Sequence, residues 1–251
     1  MNFESNGIPL AIVKGTGSPK SPLLSLNDKD SNPRHTFNEI NLEGSEIFQP
    51  VPNPKIERKV TYITGASGSG KSTFVYNYCC EYRKMYPKRN IYLFSALKED
   101  SSLDKIKGLK RIKITPEFLE ESISAEDFND SMVIFDDCDT ISDKKTKLKI
   151  LGIMNSLLET GRHFKCDLCI TSHLACSGSD TKRVLNEAHE IVFFPHSIGA
   201  GKLKYFLENY TSLDKKKIEM LKHLKTRWIC ITKTYPPVIL TEKNAFIPSL
   251  V

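Results

Sequence analysis

One loop constrains this chain more than any other feature. Residues 65 to 72 read GASGSGKS and match the pattern G-x-x-x-x-G-K-[ST] at every fixed position. A short apolar run rich in β-formers precedes the loop at residues 60 to 63, and a helical pattern follows it. In this context such a loop wraps a polyphosphate with its backbone N–H groups. The pattern therefore predicts a phosphate-binding loop at the start of a helix.

The residue types in the loop predict how a nucleotide is held. Glycines permit unusual backbone angles and leave no side chain in the way, so the amides approach the phosphates closely. We expect the Lys71 ammonium to contact the β- and γ-phosphates and the Ser72 hydroxyl to bind Mg²⁺, while the helix dipole adds positive potential. The residues predicted to bind ATP are Gly65, Ala66, Ser67, Gly68, Ser69, Gly70, Lys71, Ser72 and Thr73.

A pair of acidic residues forms the second motif, at the end of the run MVIFDD over residues 132 to 137. Four apolar residues predict a strand buried on both faces, with the carboxylates at its carboxyl end. Asp136 is expected to hold Mg²⁺ through water and Asp137 to polarise the attacking water. Alternatively, acidic pairs cap turns between a strand and a helix, and Asp139 and Thr140 are typical of such a turn here. The phosphate-binding loop upstream favours the catalytic interpretation.

The remaining patterns alternate between strands and helices. Strands are predicted over residues 90–95, 111–114, 167–173 and 190–194, with a terminal hairpin over 228–232 and 237–240. Helices are predicted over residues 72–86, 117–128, 144–160, 181–187, 200–210 and 213–224. This order predicts an α/β fold, a three-layer P-loop NTPase domain with a mostly parallel sheet and a C-terminal β-hairpin. His173, at the tip of its strand, is the candidate sensor of the γ-phosphate.

Residues 1–54 differ in composition from the rest of the chain. They are rich in Ser, Asn, Pro and Gly and show no sustained period of two or 3.6 residues. We therefore expect a flexible or loosely docked N-terminal arm, followed by the ATPase domain over residues 55–251. Alternatively, the apolar residues 8–13 pair with a sheet edge or with a neighbouring subunit.

Composition excludes a membrane-spanning class and is compatible with a nucleic-acid partner. The 251 residues are 26% charged, and no apolar run approaches the roughly 20 residues that cross a bilayer. The amino terminus lacks the features of a secretory signal, so we expect an intracellular protein with reduced cysteines. The net charge is +6, and the lysine-rich helix at residues 213–224 is either a solvated face or a contact for DNA phosphates.

Two further sets of side chains bear on function. Arg162 and Arg183 are candidates for an arginine that a neighbouring subunit supplies to the transition state, although many such arginines are simply solvated. His173 lies among three cysteines at positions 166, 169 and 176. Their short spacing favours ordinary packing over a zinc site.

Four segments together resemble a known group of ATPases. GASGSGKST, MVIFDDCD, ETGRH at residues 159–163 and CITSH at residues 169–173 are similar to motifs of the FtsK/HerA superfamily, in the additional-strand, catalytic-acid division of P-loop NTPases. More narrowly, they resemble the poxvirus-type DNA-packaging ATPases of large DNA viruses and virophages. The resemblance covers about residues 59 to 194. Members commonly carry glutamate where Asp137 stands and glutamine where His173 stands.

The resemblance implies a homo-oligomeric ring that uses ATP and Mg²⁺ to move double-stranded DNA into a preformed capsid. Capsid proteins are then partners, and the expected location is the host cytoplasm, a viral factory or the virion itself. Two alternatives share the same loop: a nucleotide or small-molecule kinase, and a nucleotide-dependent switch that does not hydrolyse ATP. A kinase needs a lid and an acceptor pocket, whereas a switch releases little phosphate.

Overall fold

Ten strands among the described residues form one large sheet with a parallel centre. The computed structural model describes residues 1–4, 6–27, 35–176 and 178–248, and for residues 179 and 180 the backbone only. The parallel strands are β5 (Val60–Thr64), β6 (Asn90–Ser95), β7 (Leu109–Arg111), β8 (Ser131–Asp136), β9 (Asp167–Ser172) and β10 (Glu190–Phe193). Their spatial order is β10-β5-β9-β8-β6-β7. This arrangement confirms the predicted mostly parallel α/β sheet.

Antiparallel strands extend the sheet beyond β10. These are β11 (Ile229–Thr232), β12 (Val238–Thr241), β13 (Asn244–Phe246) and, at the edge, β3 (Glu39–Asn41). Strands β11 and β12 form the predicted C-terminal hairpin, and β11 pairs with β10. The edge strand comes from the N-terminal region and pairs with β13.

Helices cover both faces of the sheet. They are α1 (Lys71–Met85), α2 (Pro116–Glu120), α3 (Lys144–Thr160), α4 (Gly178–Glu187), α5 (Ala200–Tyr210) and α6 (Lys215–Lys222). One apolar core contains buried residues of α1, such as Val75 and Cys79, and the other contains residues of α3, α5 and α6, such as Leu157 and Phe206. Two separate cores on one sheet produce the three layers that the alternating pattern predicted. None of the described helices combines the length and apolar character needed to cross a membrane.

The N-terminal region differs from the expected flexible arm. Strands β1 (Ile8–Lys14), β2 (Leu23–Leu26) and β4 (Ile47–Pro50) form an antiparallel sheet in the order β2-β1-β4. Leu10, Leu24 and Phe48 are fully buried in the same core as α1. Pairing of strands that are distant in sequence leaves only a weak local pattern, which explains why the sequence suggested a mobile segment. The division of the chain at residue 54 stays a prediction.

Helix α3 has the predicted bounds, and one of its leucines lies away from the core. Leu148 is 59% exposed, whereas Thr146 and Ile150 are buried. Each residue advances about 100° around an α-helix, so Leu148 lies on the opposite side from residues two positions away.

The predicted acidic helix over residues 117–128 is interrupted. Helix α2 ends at Glu120, and a separate 3₁₀ turn spans Ala125–Phe128 behind a Ser124–Asp127 capping box. Phe118 and Phe128 both pack against the Phe94 ring, with centroid distances of 6.3 and 5.9 Å. Burial of two aromatic rings at opposite ends of the segment favours two short elements over one surface helix. The strand predicted over residues 111–114 is also displaced: in the structure it is β7, which spans Leu109–Arg111.

Candidate active site

The carboxyl ends of the parallel strands bring the predicted motifs to one edge of the sheet. The phosphate-binding loop follows β5, His173 follows β9 and the acid pair ends β8. Strand β9 lies between β5 and β8, and β6 lies on the far side of β8. In the sheet, the strand between the loop and the carboxylates is therefore β9, whereas in sequence β6 and β7 lie between them.

The loop has the conformation that its glycines predicted. Gly70 has φ +111° at the start of α1, in a backbone region that residues other than glycine rarely adopt. A Cβ atom on Gly65 would lie 2.6 Å from Ser69 Oγ and 3.0 Å from the Phe194 ring. Both positions therefore require glycine for different reasons, one for its backbone angle and one for space.

Lys71 brings the loop and the two strand tips together. Its Nζ lies 3.0 Å from Gly65 O, 3.4 Å from Asp137 Oδ2 and 3.2 Å from His173 Nδ1. His173 Nε2 lies 3.1 Å from the same Asp137 oxygen. An ammonium can only donate hydrogen bonds, so Nδ1 accepts one, and the neutral ring then donates from Nε2 to Asp137. Three predicted catalytic residues thus form one contact network.

Asp136 is buried at the end of β8 and accepts two hydroxyl hydrogen bonds. Ser95 Oγ lies 3.0 Å from its Oδ2 and Thr171 Oγ1 lies 2.9 Å from its Oδ1. Burial, and then the negative charge of Asp137, raise the pKa of Asp136, and the two hydroxyl groups oppose this shift. The site therefore holds a carboxylate whose ionised form the fold disfavours.

Thr171 is a site residue that the sequence analysis missed. Its hydroxyl accepts the Asp137 backbone N–H at 2.9 Å and lies 3.1 Å from Asp137 Oδ1 as well as against Asp136. Asp137 itself has φ +47°, so this hydrogen bond supports an uncommon backbone conformation. Thr171 lies within CITSH, but only strand pairing shows which of its polar residues reaches the acid pair.

A cavity of about 410 Å³ lies over the loop and the acid pair. Its walls include Lys71, Ser72, Asp136, Asp137 and His173. The segment that follows β6 in sequence forms another wall, although no sequence motif indicated it. Its lining residues are Ala96, Leu97, Asp100, Ser101 and Ser102. The cavity therefore brings residues of the loop, the acid pair and His173 onto one surface.

The connection between β10 and α5 supports the loop from its other side. Ser197 Oγ accepts the Ala66 N–H at 3.2 Å and donates to Phe194 O at 2.9 Å. Sequence reasoning missed this contact because the two segments are separated by 131 positions.

The oxygen donors at the site fit Mg²⁺. Ser72 and Asp136 line the same cavity, and Mg²⁺ is usually bound by one or two carboxylates together with phosphates and waters. Within the described residues no group of three or more His, Cys, Asp or Glu side chains is arranged to hold a metal ion by itself. Cys166 and Cys169 belong to different apolar cores.

Arg162 and Arg183 do not lie in this site. Arg162 follows α3 and precedes β9, so it lies at the edge of the sheet opposite to the loop. The six residues of β9 separate the two edges by roughly 20 Å. Arg162 Nε lies 3.7 Å from Glu57 Oε2, and Arg183 Nη1 lies 2.8 Å from Glu159 Oε1. Neither guanidinium reaches the cavity of its own subunit.

The fold and the motifs together define a class of protein. A phosphate-binding loop after one parallel strand, an acid pair two strands away and an intervening strand with a polar tip characterise the additional-strand P-loop NTPases. Genome packaging NTPase B204 from Sulfolobus turreted icosahedral virus 2, in complex with ATP-gammaS, has this fold at TM-score 0.53 and 17% identity. The similarity covers 74% of this chain and 98% of B204. B204 from Sulfolobus turreted icosahedral virus, described as a DNA-packaging ATPase, superposes with TM-score 0.52 over the same shares of the two chains, at 17% identity.

No protein-family model matches the chain. A protein of Sputnik virophage, described as uncharacterized protein V3, is 39% identical over 248 residues, which are 98% of this chain and 97% of V3. The chain belongs to the family of this virophage protein.

Proposed function

We propose that this protein is an ATP-hydrolysing motor that moves double-stranded DNA into a preformed capsid. The observation that carries the proposal is the convergence of Lys71, Asp137 and His173, within 3.4 Å of one another, above the buried Asp136. A phosphate-binding loop alone is compatible with many reactions, but an acid pair at its side supports attack of water on the γ-phosphate.

Each side chain has a distinct role in the proposed reaction. Lys71 and the loop amides neutralise charge on the phosphates, and Ser72 and Asp136 hold Mg²⁺. Bound Mg²⁺, which Ser72 and Asp136 would hold, would offset the negative charge that develops on the phosphates. Asp137 accepts the proton of the attacking water, and His173, hydrogen-bonded to Asp137, orients its carboxylate beside the γ-phosphate.

Two observations support a role in DNA packaging: the solved structures that share the fold, and the surface charge on α6. The solved structures that share the fold are described as a genome packaging NTPase and a DNA-packaging ATPase. On α6, Lys217 and Lys222 pair with Asp214 and Glu219. Lys215 and Lys216 are exposed and remain available for DNA phosphates. A homo-oligomeric ring, with capsid proteins as docking partners, completes the proposed motor.

Phosphate release tests the hydrolytic part. We expect Lys71→Ala and Asp137→Asn to lower the rate at least about 100-fold, since each removes a group that acts in the transition state. Asparagine tolerates a positive φ well, so Asp137→Asn removes the charge without new backbone strain. Asp214→Asn is the matched control, because asparagine keeps the cap of α6. Equal slow rates for wild type and Asp137→Asn would instead favour a nucleotide-dependent switch.

The same assay with duplex DNA tests the motor. The rate of the wild type is expected to rise on addition of DNA at low salt, and the stimulation is expected to fall steeply between about 50 and 200 mM salt. A mass measurement under the same conditions gives the oligomer. A monomer whose rate ignores duplex DNA would contradict the motor but leave ATP hydrolysis intact.

A further inference from the structure

Arg227 lies beside the phosphate-binding loop, although it is far from the loop in sequence. A Cβ atom placed on Gly70 would be 3.7 Å from Arg227 Nη2 and 3.3 Å from the edge of the Phe194 ring. The guanidinium therefore lies within van der Waals reach of the residue that starts α1. None of the patterns in the sequence marked this arginine.

The backbone that carries Arg227 is anchored on both sides. Its N–H donates to Glu242 Oε2 at 3.2 Å. Trp228 is buried and packs edge-on against Phe74 of α1, with ring centroids 5.3 Å apart, and β11 begins at the next residue. The side chain is thus presented to the loop by a fixed segment of the sheet.

The charge of Arg227 has no counter-ion among the described residues. The guanidinium makes no hydrogen bond or ion pair there, and the side chain is exposed. It lies against the N-terminus of α1, which carries positive potential, and beside the loop that also holds Lys71. A cation in that position is repelled unless an anion lies between the positive groups. The arrangement favours a bound polyanion that both the loop and Arg227 contact.

The strand order indicates which part of the nucleotide Arg227 meets. Across the sheet edge the order is β11-β10-β5-β9-β8. Asp137 and His173, on the β8 and β9 side of the loop, mark the position of the γ-phosphate. Arg227 comes from the β11 side, so it faces the other end of the triphosphate. We infer that Arg227 binds the α-phosphate of ATP held in its own subunit.

This inference rests on the proposed binding of ATP at the loop, and affinity measurements separate the two. We expect Arg227→Ala to weaken binding of ATP about 10- to 100-fold, the range for one hydrogen-bonded charge. Arg227→Lys should recover part of the affinity. Because Arg227 lies away from Asp137, we expect its loss to raise the KM for ATP by a larger factor than it lowers kcat. Lys225→Ala, which removes an exposed positive charge two positions earlier, should bind like the wild type.

Inorganic tripolyphosphate is the second probe in the same titration. If Arg227 contacts a phosphate, Arg227→Ala weakens binding of tripolyphosphate as well as of ATP. A loss confined to ATP would overturn the assignment in favour of a contact with the base. Unchanged affinity for both ligands in Arg227→Ala, with binding lost in Lys71→Ala, would overturn this inference alone. A wild type that binds neither ligand would overturn it together with the proposed function.

Discussion

Asp136 is a carboxylate buried at the end of strand β8. The side chain is 2% exposed and its carboxylate accepts hydrogen bonds from Ser95 and Thr171. Two hydroxyl groups only partly replace the hydration that burial removes. The neighbouring Asp137 adds repulsion, which is consistent with the raised pKa of Asp136. A bound divalent metal would offset both the lost hydration and the repulsion from Asp137. The Asp136 carboxylate is therefore better suited to a metal–nucleotide complex than to the protein without ligand.

We expect Asp136→Asn to abolish phosphate release while it stabilises the protein without ligand. A folded-state pKa above the unfolded one means that the carboxylate costs stability once the pH rises through that interval. Removing the charge should raise the Tm by roughly 2–4 °C at pH 7, which corresponds to about 1 kcal/mol for a chain of this size.

Thermal unfolding followed by circular dichroism at pH 4 and pH 7 checks the sign. The gain should be smaller at pH 4, where the carboxyl of the wild type is closer to neutral. Leu148→Ala, which removes no titratable group from an exposed position on α3, should show no such difference between the two pH values. A lower Tm for Asp136→Asn at pH 7 would contradict a disfavoured carboxylate.

At the scale of elements, the N-terminal sheet is part of the core that positions α1. Leu24 and Phe48 are buried beside Val75 and Tyr78 of that helix, and Lys14 Nζ lies 3.1 Å from Glu81 Oε1 of the same helix. Helix α1 begins at the phosphate-binding loop, so the sheet β2-β1-β4 shares a core with the element that orients the loop. Its loss would expose part of that core.

Two leucine substitutions test this packing. Leu24→Ala is expected to lower the free energy of unfolding by about 2–4 kcal/mol, the range for a leucine removed from a packed core. Leu148→Ala on α3 removes the same atoms from a side chain that is 59% exposed, so its effect should be within about 0.5 kcal/mol. Urea denaturation measures both values. Equal, small effects would show that the N-terminal sheet is only loosely attached.

In the complete fold, the two edges of the sheet carry different sets of charged side chains. The loop and the acid pair lie at the carboxyl edge, and Arg162 lies at the amino edge, 67% exposed beside Glu57. One chain cannot bring Arg162 to its own nucleotide, so a catalytic role for Arg162 requires a neighbouring chain of the proposed ring. The ion pair of Arg162 with Glu57 measures 3.7 Å, whereas that of Arg183 with Glu159 measures 2.8 Å. Arg162 is therefore held less tightly by its own chain than Arg183 is. We therefore favour Arg162 as the arginine supplied in trans.

Mixed oligomers test this assignment. Arg162→Ala and Lys71→Ala should each be inactive alone, the first for lack of a donated arginine and the second for lack of phosphate binding. In an equal mixture, the intact site of one variant meets the intact arginine of the other at some interfaces. Random assembly then restores roughly a quarter of the wild-type rate. Arg183→Ala alone should remain active, and an inactive mixture would contradict a role for Arg162 in trans.

Elements with local signals could be predicted from the amino-acid sequence alone. The phosphate-binding loop, the buried strand before the acid pair and the bounds of α3 and β6 follow from glycine spacing, apolar runs and helix stops. Each of these signals is contained within about 20 neighbouring residues. They were sufficient to predict a mostly parallel α/β sheet, and with the resemblance of the motifs they indicated the class of NTPase.

Features that depend on pairing between distant segments became visible in the fold and not before. It placed β9 between the loop and the acid pair, brought the Thr171 hydroxyl to Asp136, and joined residues 39–41 to the far edge of the sheet. It also set Arg227 beside Gly70 and left Leu148 exposed. The physical reason is that strand order and packing are set by contacts across the whole chain, which neither periodicity nor a short motif encodes.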